Sequence, residues 1–495
     1  MLLLRAAARS PRSALTPTIK GLLAAATLLV WAGPAAGVVE QDCALPDAGC
    51  TLAETARQAG VFVGAALGSP ELPAVQATIP RDFNSITAEN AMKWGSLAPT
   101  VGSYDFADAD AIAEFATATG VRLRGHTLLW RDQLPSDLES TVEAAADPAA
   151  KLRELIDEHF STVVPRYRDV VSVWDVVNEP LQQFTGDLDL NIFGRTLGEA
   201  YIDEAFHRVH ELDPEAQLVL NEFFFFYGLG TPFEGKARGF LDLVKRLLDR
   251  GVPVHGVGVQ AHFFGLLPGL FPLPTRAEFE GFLRALADLG VTVELTELDV
   301  SINYFRGDPD PLARQAEFYG EVVGACMAVP NCTAVTTWGI DDSRTWLDHF
   351  PPFDTLAPHE PLLFDASLEP KPAYFAVRDE VAAREGPFHE RTARLVTFFD
   401  DARAAGDLRG EDSALGRTRR SLVQAGSLLQ RAHFRAACHK LKLVDRLLAP
   451  SHGWRNEWLF VRGPAAADLA DGVGTLREAL DCDDRHFGGG PRARW

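Results

Sequence analysis

Residues 148–179 read PAAKLRELIDEHFSTVVPRYRDVVSVWDVVNE, and this stretch decides the fold. Its first part, Pro148 to Arg166, has the length and spacing of a helix. Its second part, Val170 to Glu179, is a short apolar strand that ends in Asn178 and Glu179. A helix followed by a strand of this kind is typical of an α/β protein with a parallel sheet.

The same alternation extends on both sides, from about Val61 to Ile340. The other candidate strands are Val61 to Ala66, Ser85 to Glu89, Arg122 to Trp130, Gln217 to Glu222, Val257 to Phe263, Thr292 to Val300 and Ala334 to Ile340. The other candidate helices are Ala109 to Thr119, Tyr201 to Leu212, Gly235 to Arg250 and Ala277 to Leu289. Eight strands alternating with helices predict a (β/α)8 TIM barrel. A doubly wound open sheet is the alternative, but no glycine-rich phosphate loop follows the first strand.

Nearly every candidate strand ends in a side chain that can take part in chemistry. These residues are Glu89, His126, Glu179, Asn221, His262, Glu297 and Trp338. In a TIM barrel the active site lies at the C-terminal ends of the strands. The pattern therefore predicts one polar cleft at that end of the barrel.

The charge of the whole chain narrows the class of partner. The 495 residues carry a formal net charge of −21. A surface this acidic repels phosphate backbones and anionic lipids, so we expect neither nucleic acid nor a membrane as a partner. A neutral or weakly charged substrate is compatible with it.

The N-terminus has the pattern of a signal peptide. A basic region with Arg5 and Lys20 precedes the apolar run Gly21 to Trp31, and small residues follow up to Gly37. We expect residues 1–37 to be removed and the protein to be secreted and extracellular. An uncleaved anchor is the alternative.

Six cysteines are compatible with export. They fall as sequence neighbours: Cys43 with Cys50, Cys326 with Cys332, and Cys438 with Cys482. Short loops make the first two pairs feasible disulfides, although sequence alone leaves the connectivity open. Their spacing does not match a zinc site, so we expect no metal.

A second region follows the predicted barrel. We expect the barrel to occupy residues 45–385, with a boundary at Gly386 and Pro387. Residues 390–482 have apolar positions at helical spacing and predict a small all-α accessory domain. The glycine- and arginine-rich residues 485–495 are expected to form a flexible tail.

Two carboxylates point to a reaction class. Glu179 ends the fourth candidate strand and Glu297 lies in the seventh, so both can face one cleft from opposite sides of the barrel. Glycoside hydrolysis needs a carboxylic acid that protonates the leaving oxygen and a carboxylate on the other side of the bond. Asp299 lies two residues from Glu297 on the same face of its strand, and His262 could bridge the carboxylates.

Several motifs resemble glycoside hydrolase family 10, the endo-β-1,4-xylanases. The matching segments, in the family's order, are Thr87 to Trp94, Gly125 to Trp130, Trp174 to Pro180, Gly258 to His262, Thr296 to Asp299, Thr337 to Gly339, Pro361 to Asp365 and Pro370 to Tyr374. The resemblance spans about Leu52 to Arg384. The pair Cys326 and Cys332 resembles a disulfide of many members.

The resemblance implies a retaining xylanase without a cofactor, acting on xylan or xylo-oligosaccharides, and we expect a monomer. Glu179 would be the general acid/base and Glu297 the nucleophile, supported by Asn178, His262 and Asp299. The residues implied to bind sugar are Glu89, Asn90, Lys93, His126, Trp130, Gln260, Trp338 and Trp346. Because Glu179 must alternate between acid and base, we expect it to titrate above Glu297.

The chain departs from the family's pattern at two places near the cleft. Arg131 stands where members often carry a second His, and Asn221-Glu222-Phe223-Phe224 replaces Asn-Asp-Tyr-Asn. These changes leave three readings to compare. A β-1,4-glucanase with the same mechanism and a non-catalytic polysaccharide-binding barrel are the alternatives to a xylanase.

Overall fold

A computed structural model describes most of the chain. The described residues are 49–69, 73–224, 227–229, 234–265, 272–384, 388–410, 412–430 and 434–448, with single positions between 461 and 482. The predicted signal peptide, Cys43, Phe225, Phe226, residues 266–271 and the tail 485–495 lie outside the described residues.

The strands form a closed parallel barrel. They are β1 Phe62–Leu67, β2 Ser85–Ala88, β3 Arg122–Gly125, β4 Val171–Asn178, β5 Gln217–Glu222, β6 Gly256–Val259, β7 His262–Phe263, β8 Thr292–Val300 and β9 Cys332–Thr337. β1 pairs with both β2 and β9, and β6 pairs with β8, which closes the ring. β6 and β7 together count as one of the strand positions around the ring, because both pair with β8. Eight positions result, and the predicted (β/α)8 barrel is confirmed.

Helices cover the outside of the ring. They are α1 Leu52–Ala59, α2 Pro73–Asp82, α3 Trp94–Leu97, α4 Ala107–Thr119, α5 Leu138–Glu143, α6 Pro148–Tyr167, α7 Ile192–Leu197, α8 Ala200–Leu212, α9 Gly235–Asp249, α10 Arg276–Ala287, α11 Pro311–Met327 and α12 Pro372–Ala383. Local sequence fixes where several begin. The side chain of Asp147 accepts a hydrogen bond from the main chain of Ala150, and Pro148 follows at the first helical position. Thr275 and Glu278 form a capping box at α10.

The barrel interior contains a buried ionic cluster below the cleft. Arg124 binds Asp175 through two hydrogen bonds and donates to Glu294. Arg122 adds a hydrogen bond of 2.8 Å to Glu294. These charges are tolerated in the core because each is paired. They fix β3, β4 and β8 against one another under the functional residues.

Predicted and observed bounds differ mainly where strands approach the cleft. The third strand was predicted over Arg122 to Trp130 but ends at Gly125. The sixth was predicted as one strand, Val257 to Phe263, but Ala261 has φ of 60° and divides it. The eighth begins at Cys332 and ends at Thr337, short of Ile340. The apolar pattern continues past the hydrogen-bonded part of these strands because the residues that follow, such as Leu129 and Ile340, remain buried.

A second hydrophobic core follows the barrel. Helices α13 Phe388–Ala405, α14 Asp412–Gln430 and α15 Phe434–Leu448 surround it. Its fully buried residues include Phe399, Leu422 and Leu441. Disulfides join Cys326 to Cys332 in the barrel and Cys438 to Cys482 in the second core. Each helix in the described part of the chain is too short or too polar to cross a bilayer.

Candidate active site

One cavity of about 660 Å³ collects the predicted functional residues. The predicted residues that line it are Glu89, Asn90, Lys93, His126, Trp130, Asn178, Glu179, Gln260, His262, Glu297, Trp338 and Trp346. Asp299 lies behind this wall, fully buried. The residues come from six positions of the barrel, so the closed ring brings together segments that are far apart in sequence.

An imidazole holds the carboxylate of Glu297. Nε2 of His262 lies 3.1 Å from Glu297 Oε2, and Nδ1 lies 2.9 Å from Asp299 Oδ2. The indole nitrogen of Trp346 also donates to Asp299 Oδ2, at 2.9 Å. Burial alone would lower the pKa of His262, but the carboxylates of Asp299 and Glu297 raise it to about 10. At neutral pH a cation therefore lies between two buried carboxylates.

A chain of side-chain amides connects Glu297 to Glu179. Asn221 Nδ2 donates to Glu297 Oε1 at 2.7 Å and to Asn178 Oδ1 at 2.8 Å. Gln260 Nε2 donates to Asn178 Oδ1 at 3.2 Å and to Glu179 Oε1 at 3.0 Å. Every link is buried, which fixes the two carboxylates relative to each other.

Gly258 leaves room for this row of hydrogen-bonded amides between the strands. A side chain at this position would place its Cβ 2.0 Å from Oδ1 of Asn221. Only glycine leaves the space that the Asn221 amide occupies. Asn221 itself was predicted as a strand-end residue, but its direct contact with Glu297 could not be inferred from the spacing.

Glu179 has a cationic neighbour that sequence reasoning noted only as a departure. Nη2 of Arg131 lies 2.6 Å from Glu179 Oε2. Burial alone would raise the pKa of Glu179, but Arg131, the hydrogen bond from Gln260 and the charge of Lys236 lower it below its ordinary value. The expectation that Glu179 titrates above Glu297 stays a prediction. The expectation was made without the Arg131 contact, which is the main cause of the lowering.

The polar wall opposite is also preorganised. Lys93 Nζ donates to Asn90 Oδ1 at 2.9 Å and lies 4.6 Å from the centre of the Trp130 ring. Burial lowers the pKa of Lys93 and raises that of Glu89. His126 Nδ1 lies 3.0 Å from Asp175 Oδ2, which leaves Nε2 as its second polar atom. Such donors and acceptors suit the hydroxyl groups of a sugar.

Aromatic rings line another part of the cavity. Besides the three predicted Trp residues, the lining includes Phe223, Phe264, Phe350 and Phe353. Phe264 and Phe353 stack with their ring centres 4.6 Å apart. Sequence analysis missed Phe350 and Phe353, although they flank a Pro-Pro pair in a loop after the last strand. Ring faces of this kind pack against the apolar faces of pyranose rings.

The aromatic run after β5 divides between two roles. Phe223 lines the cavity, whereas Phe224 and Tyr227 are buried in the barrel wall against Phe282. Next to it, Lys236 of α9 forms a buried ion pair of 2.9 Å with Glu222. Sequence reasoning missed this pair because a lysine in a surface helix gives no sign of burial.

The described residues include no group of three or more His, Cys, Asp or Glu side chains arranged to hold a metal ion. The chemistry available at the cavity is that of paired carboxylates with amide, imidazole and aromatic support. A TIM barrel with two buried carboxylates in a cleft of sugar-binding character defines the class of glycoside hydrolases.

The comparisons with known proteins identify the family. Residues 51–380 match glycosyl hydrolase family 10, and the chain belongs to this family. It is 36% identical over 301 residues to endo-1,4-beta-xylanase 3 of Hypocrea jecorina, covering 61% of this chain and 76% of that one. It is 35% identical over 328 residues to endo-1,4-beta-xylanase B of Paenibacillus barcinonensis, covering 64% and 94%.

The fold agrees with solved structures of related enzymes. Xylanase 10B from Thermotoga petrophila RKU-1, solved in complex with xylobiose, superposes with a TM-score of 0.58 at 29% identity. The superposition covers 67% of this chain and 97% of that chain. The second helical core lies outside residues 51–380, which match the family.

Proposed function

We propose that this protein is a secreted, retaining endo-1,4-β-xylanase, with Glu179 as general acid/base and Glu297 as nucleophile. One observation carries the proposal: Glu179 and Glu297 line the same cavity and are tied through Asn178, Asn221 and Gln260. Retaining enzymes need two carboxyl groups at a fixed separation across the scissile bond.

In the first step Glu297 attacks the anomeric carbon while Glu179 gives its proton to the glycosidic oxygen, so the C–O bond to the leaving sugar breaks. In the second step Glu179 takes a proton from water, whose oxygen attacks the anomeric carbon and releases Glu297. The His262 cation and the Asn221 amide hold Glu297 oriented for attack. Asn178, beside Glu179, is placed to contact the sugar.

Xylan is the proposed substrate because the two relatives from Hypocrea jecorina and Paenibacillus barcinonensis are named as xylanases. The structural neighbour with bound xylobiose supports an oligosaccharide of the same kind. Glucan differs from xylan by one hydroxymethyl group per ring. A glucanase is the alternative because a relative that matches this chain over 310 residues is named exoglucanase XynX, from Acetivibrio thermocellus. Release of reducing sugar from xylan and from carboxymethyl-cellulose distinguishes the two substrates.

The proposal predicts that Glu297→Ala abolishes hydrolysis of arabinoxylan. Loss of the nucleophile should lower kcat by about four to six orders of magnitude. Product analysis of wild type and variant measures substrate and nucleophile together, and proton NMR of the first products should show the β-anomer. Unchanged hydrolysis by Glu297→Ala, or initial release of the α-anomer, would contradict the proposal. Absence of hydrolysis by the wild type would favour the polysaccharide-binding reading.

The domain division is part of the same proposal. We infer a catalytic domain over residues 45–385 and a helical accessory domain over 390–482. The two separate hydrophobic cores support this division. The two described disulfides support an extracellular location, since such bonds persist in oxidising compartments.

A further inference from the structure

Arg131 makes more contacts with Glu179 than a chance neighbour would. Its Nη2 lies 2.6 Å from the Glu179 carboxylate, and its Nη1 donates to the Glu179 main-chain oxygen at 3.3 Å. Nη1 also lies 3.5 Å from Asp189 Oδ2. One guanidinium thus joins the loop after β3, the side chain at the end of β4 and the loop beyond it.

Other contacts also hold the loop that follows Glu179, including a hydrogen bond of 3.1 Å from the main chain of Leu181 to Glu222. The main chain of Asp189 donates to Pro180, and Leu181 and Leu188 form an isolated antiparallel bridge. Glu179 itself has φ of 53°, in the left-handed region that non-glycine residues rarely adopt. An unusual backbone conformation at a functional residue must be stabilised by its surroundings. The guanidinium of Arg131 contacts both the side chain and the main chain of Glu179.

Some of the charged groups that face Glu179 favour its ionised form, and others oppose it. Arg131 and Lys236 favour its ionised form, and the Gln260 amide does the same through its hydrogen bond. Glu222 and Asp132 interact with it unfavourably, and Lys93 interacts favourably from the opposite wall. Arg131 is the cation in direct contact, so it is the group whose removal changes the balance most.

We propose that Arg131 is a positioning residue that holds Glu179 as a carboxylate and thereby sets the upper pH limit of activity. This inference rests on the proposed function, because it assumes that Glu179 is the acid/base. The guanidinium favours the ionised form of Glu179 from which the second step starts, although it also makes that carboxylate a weaker base. It opposes the first step, in which Glu179 must carry the proton that moves to the glycosidic oxygen. The protonated enzyme is therefore depleted at a lower pH than burial alone would give.

The test is the pH dependence of kcat/KM on a xylo-oligosaccharide for wild type and Arg131→Gln, since this profile reports the ionisation of the free enzyme. Without the cation, burial dominates, and the alkaline limb should move upward by about 1 to 3 pH units. An alkaline limb at the wild-type position with a uniformly lower rate would overturn the inference, since a purely structural residue gives that result.

Two variants separate charge from packing. Arg131→Lys keeps the charge, so its alkaline limb should stay closer to wild type than that of Arg131→Gln. Asp189→Asn removes a competing carboxylate but leaves the contact with Glu179, so its limb should stay in place or move downward. An upward move in Asp189→Asn equal to that of Arg131→Gln would show that loop packing, not charge, sets the limit. If Arg131→Gln does not fold, Arg131→Met gives the same comparison.

Assays of Glu179→Ala test the proposed function separately from the role of Arg131. Glu179→Ala should lose activity on xylan, and azide should restore turnover of an aryl xyloside with a good leaving group, because that substrate needs no acid. Full activity of Glu179→Ala on xylan would contradict the proposed function itself. Rescue by azide combined with an unmoved limb in Arg131→Gln would contradict only the role of Arg131.

Discussion

His262 determines the charge balance around Glu297, the proposed nucleophile. Its ring is almost fully buried and contacts Glu297 through one nitrogen and Asp299 through the other. Two carboxylates this close would repel each other if no cation lay between them. The protonated ring therefore stabilises the folded state and holds the Glu297 side chain in place.

This arrangement predicts a pH-dependent stability. The pKa of His262 is raised from 6.5 to about 10, so its contribution is fully present below pH 6.5 and is lost as the pH rises through 10. Over that window the free energy of unfolding should fall by up to about 1.4 kcal/mol per pH unit. Denaturant titrations of wild type and His262→Asn between these pH values measure the difference.

The variant Asp299→Asn is the matched control. With only Glu297 left to hold the proton on His262, the pKa of the ring is raised less, so the decline should end at a lower pH than in wild type. His262→Asn should lack this part of the decline and be less stable at neutral pH, because Glu297 and Asp299 then lie unscreened. The same slope in His262→Asn as in wild type would show that other groups cause the decline.

At the scale of elements, β5 and α9 are joined by one buried ion pair. Lys236 binds Glu222 at 2.9 Å and lies 3.9 Å from the centre of the Phe223 ring. The other oxygen of Glu222 accepts a hydrogen bond from the main chain of Leu181, in the loop beyond Glu179. The pair therefore supports the wall of the cleft on the side of the proposed acid/base.

Removing one partner of this pair should be costly. Lys236→Met leaves Glu222 buried without its cation, and we expect a loss of about 3–5 kcal/mol in unfolding free energy. Burial raises the pKa of Glu222 to about 7 even with Lys236 present, so the loss should grow as the pH rises above 7. Thermal or denaturant unfolding across this range is the measurement.

The double variant Glu222→Gln with Lys236→Met tests whether charge is the cause. A neutral glutamine can still accept the hydrogen bond from Leu181, and methionine retains much of the lysine stem. We expect most of the lost stability to return. A double variant as unstable as Lys236→Met would show that shape, and not the unpaired charge, accounts for the loss.

The elements also show what sequence could predict. Periodicity located the barrel strands, and β5 and β8 begin and end at the predicted residues. Motif positions located every predicted residue that lines the cavity. Pairings between distant segments could not be predicted, because Arg131 with Glu179 and Glu222 with Lys236 depend on how the closed ring places side chains. A single-sequence pattern carries no information on these distances.

At the scale of the whole molecule, the described part of the chain contains two hydrophobic cores, each with one described disulfide. Cys326 and Cys332 are separated by 6 positions, whereas Cys438 and Cys482 are separated by 44. A disulfide that closes a longer loop removes more freedom from the unfolded chain. By this entropy the shorter loop contributes about 2 kcal/mol and the longer one about 4 kcal/mol.

The second core should therefore depend strongly on its disulfide while the proposed catalytic domain does not. Replacing Cys438 and Cys482 by Ala should lower the unfolding transition of the helical region and leave hydrolysis of xylan at the wild-type rate. Replacing Cys326 and Cys332 by Ala is the matched pair, and it should lower the barrel transition by the smaller amount. Calorimetry of the full chain with activity assays checks both. If loss of the helical disulfide lowered the barrel transition equally, the two cores would unfold as one unit and the proposed domain division would be wrong.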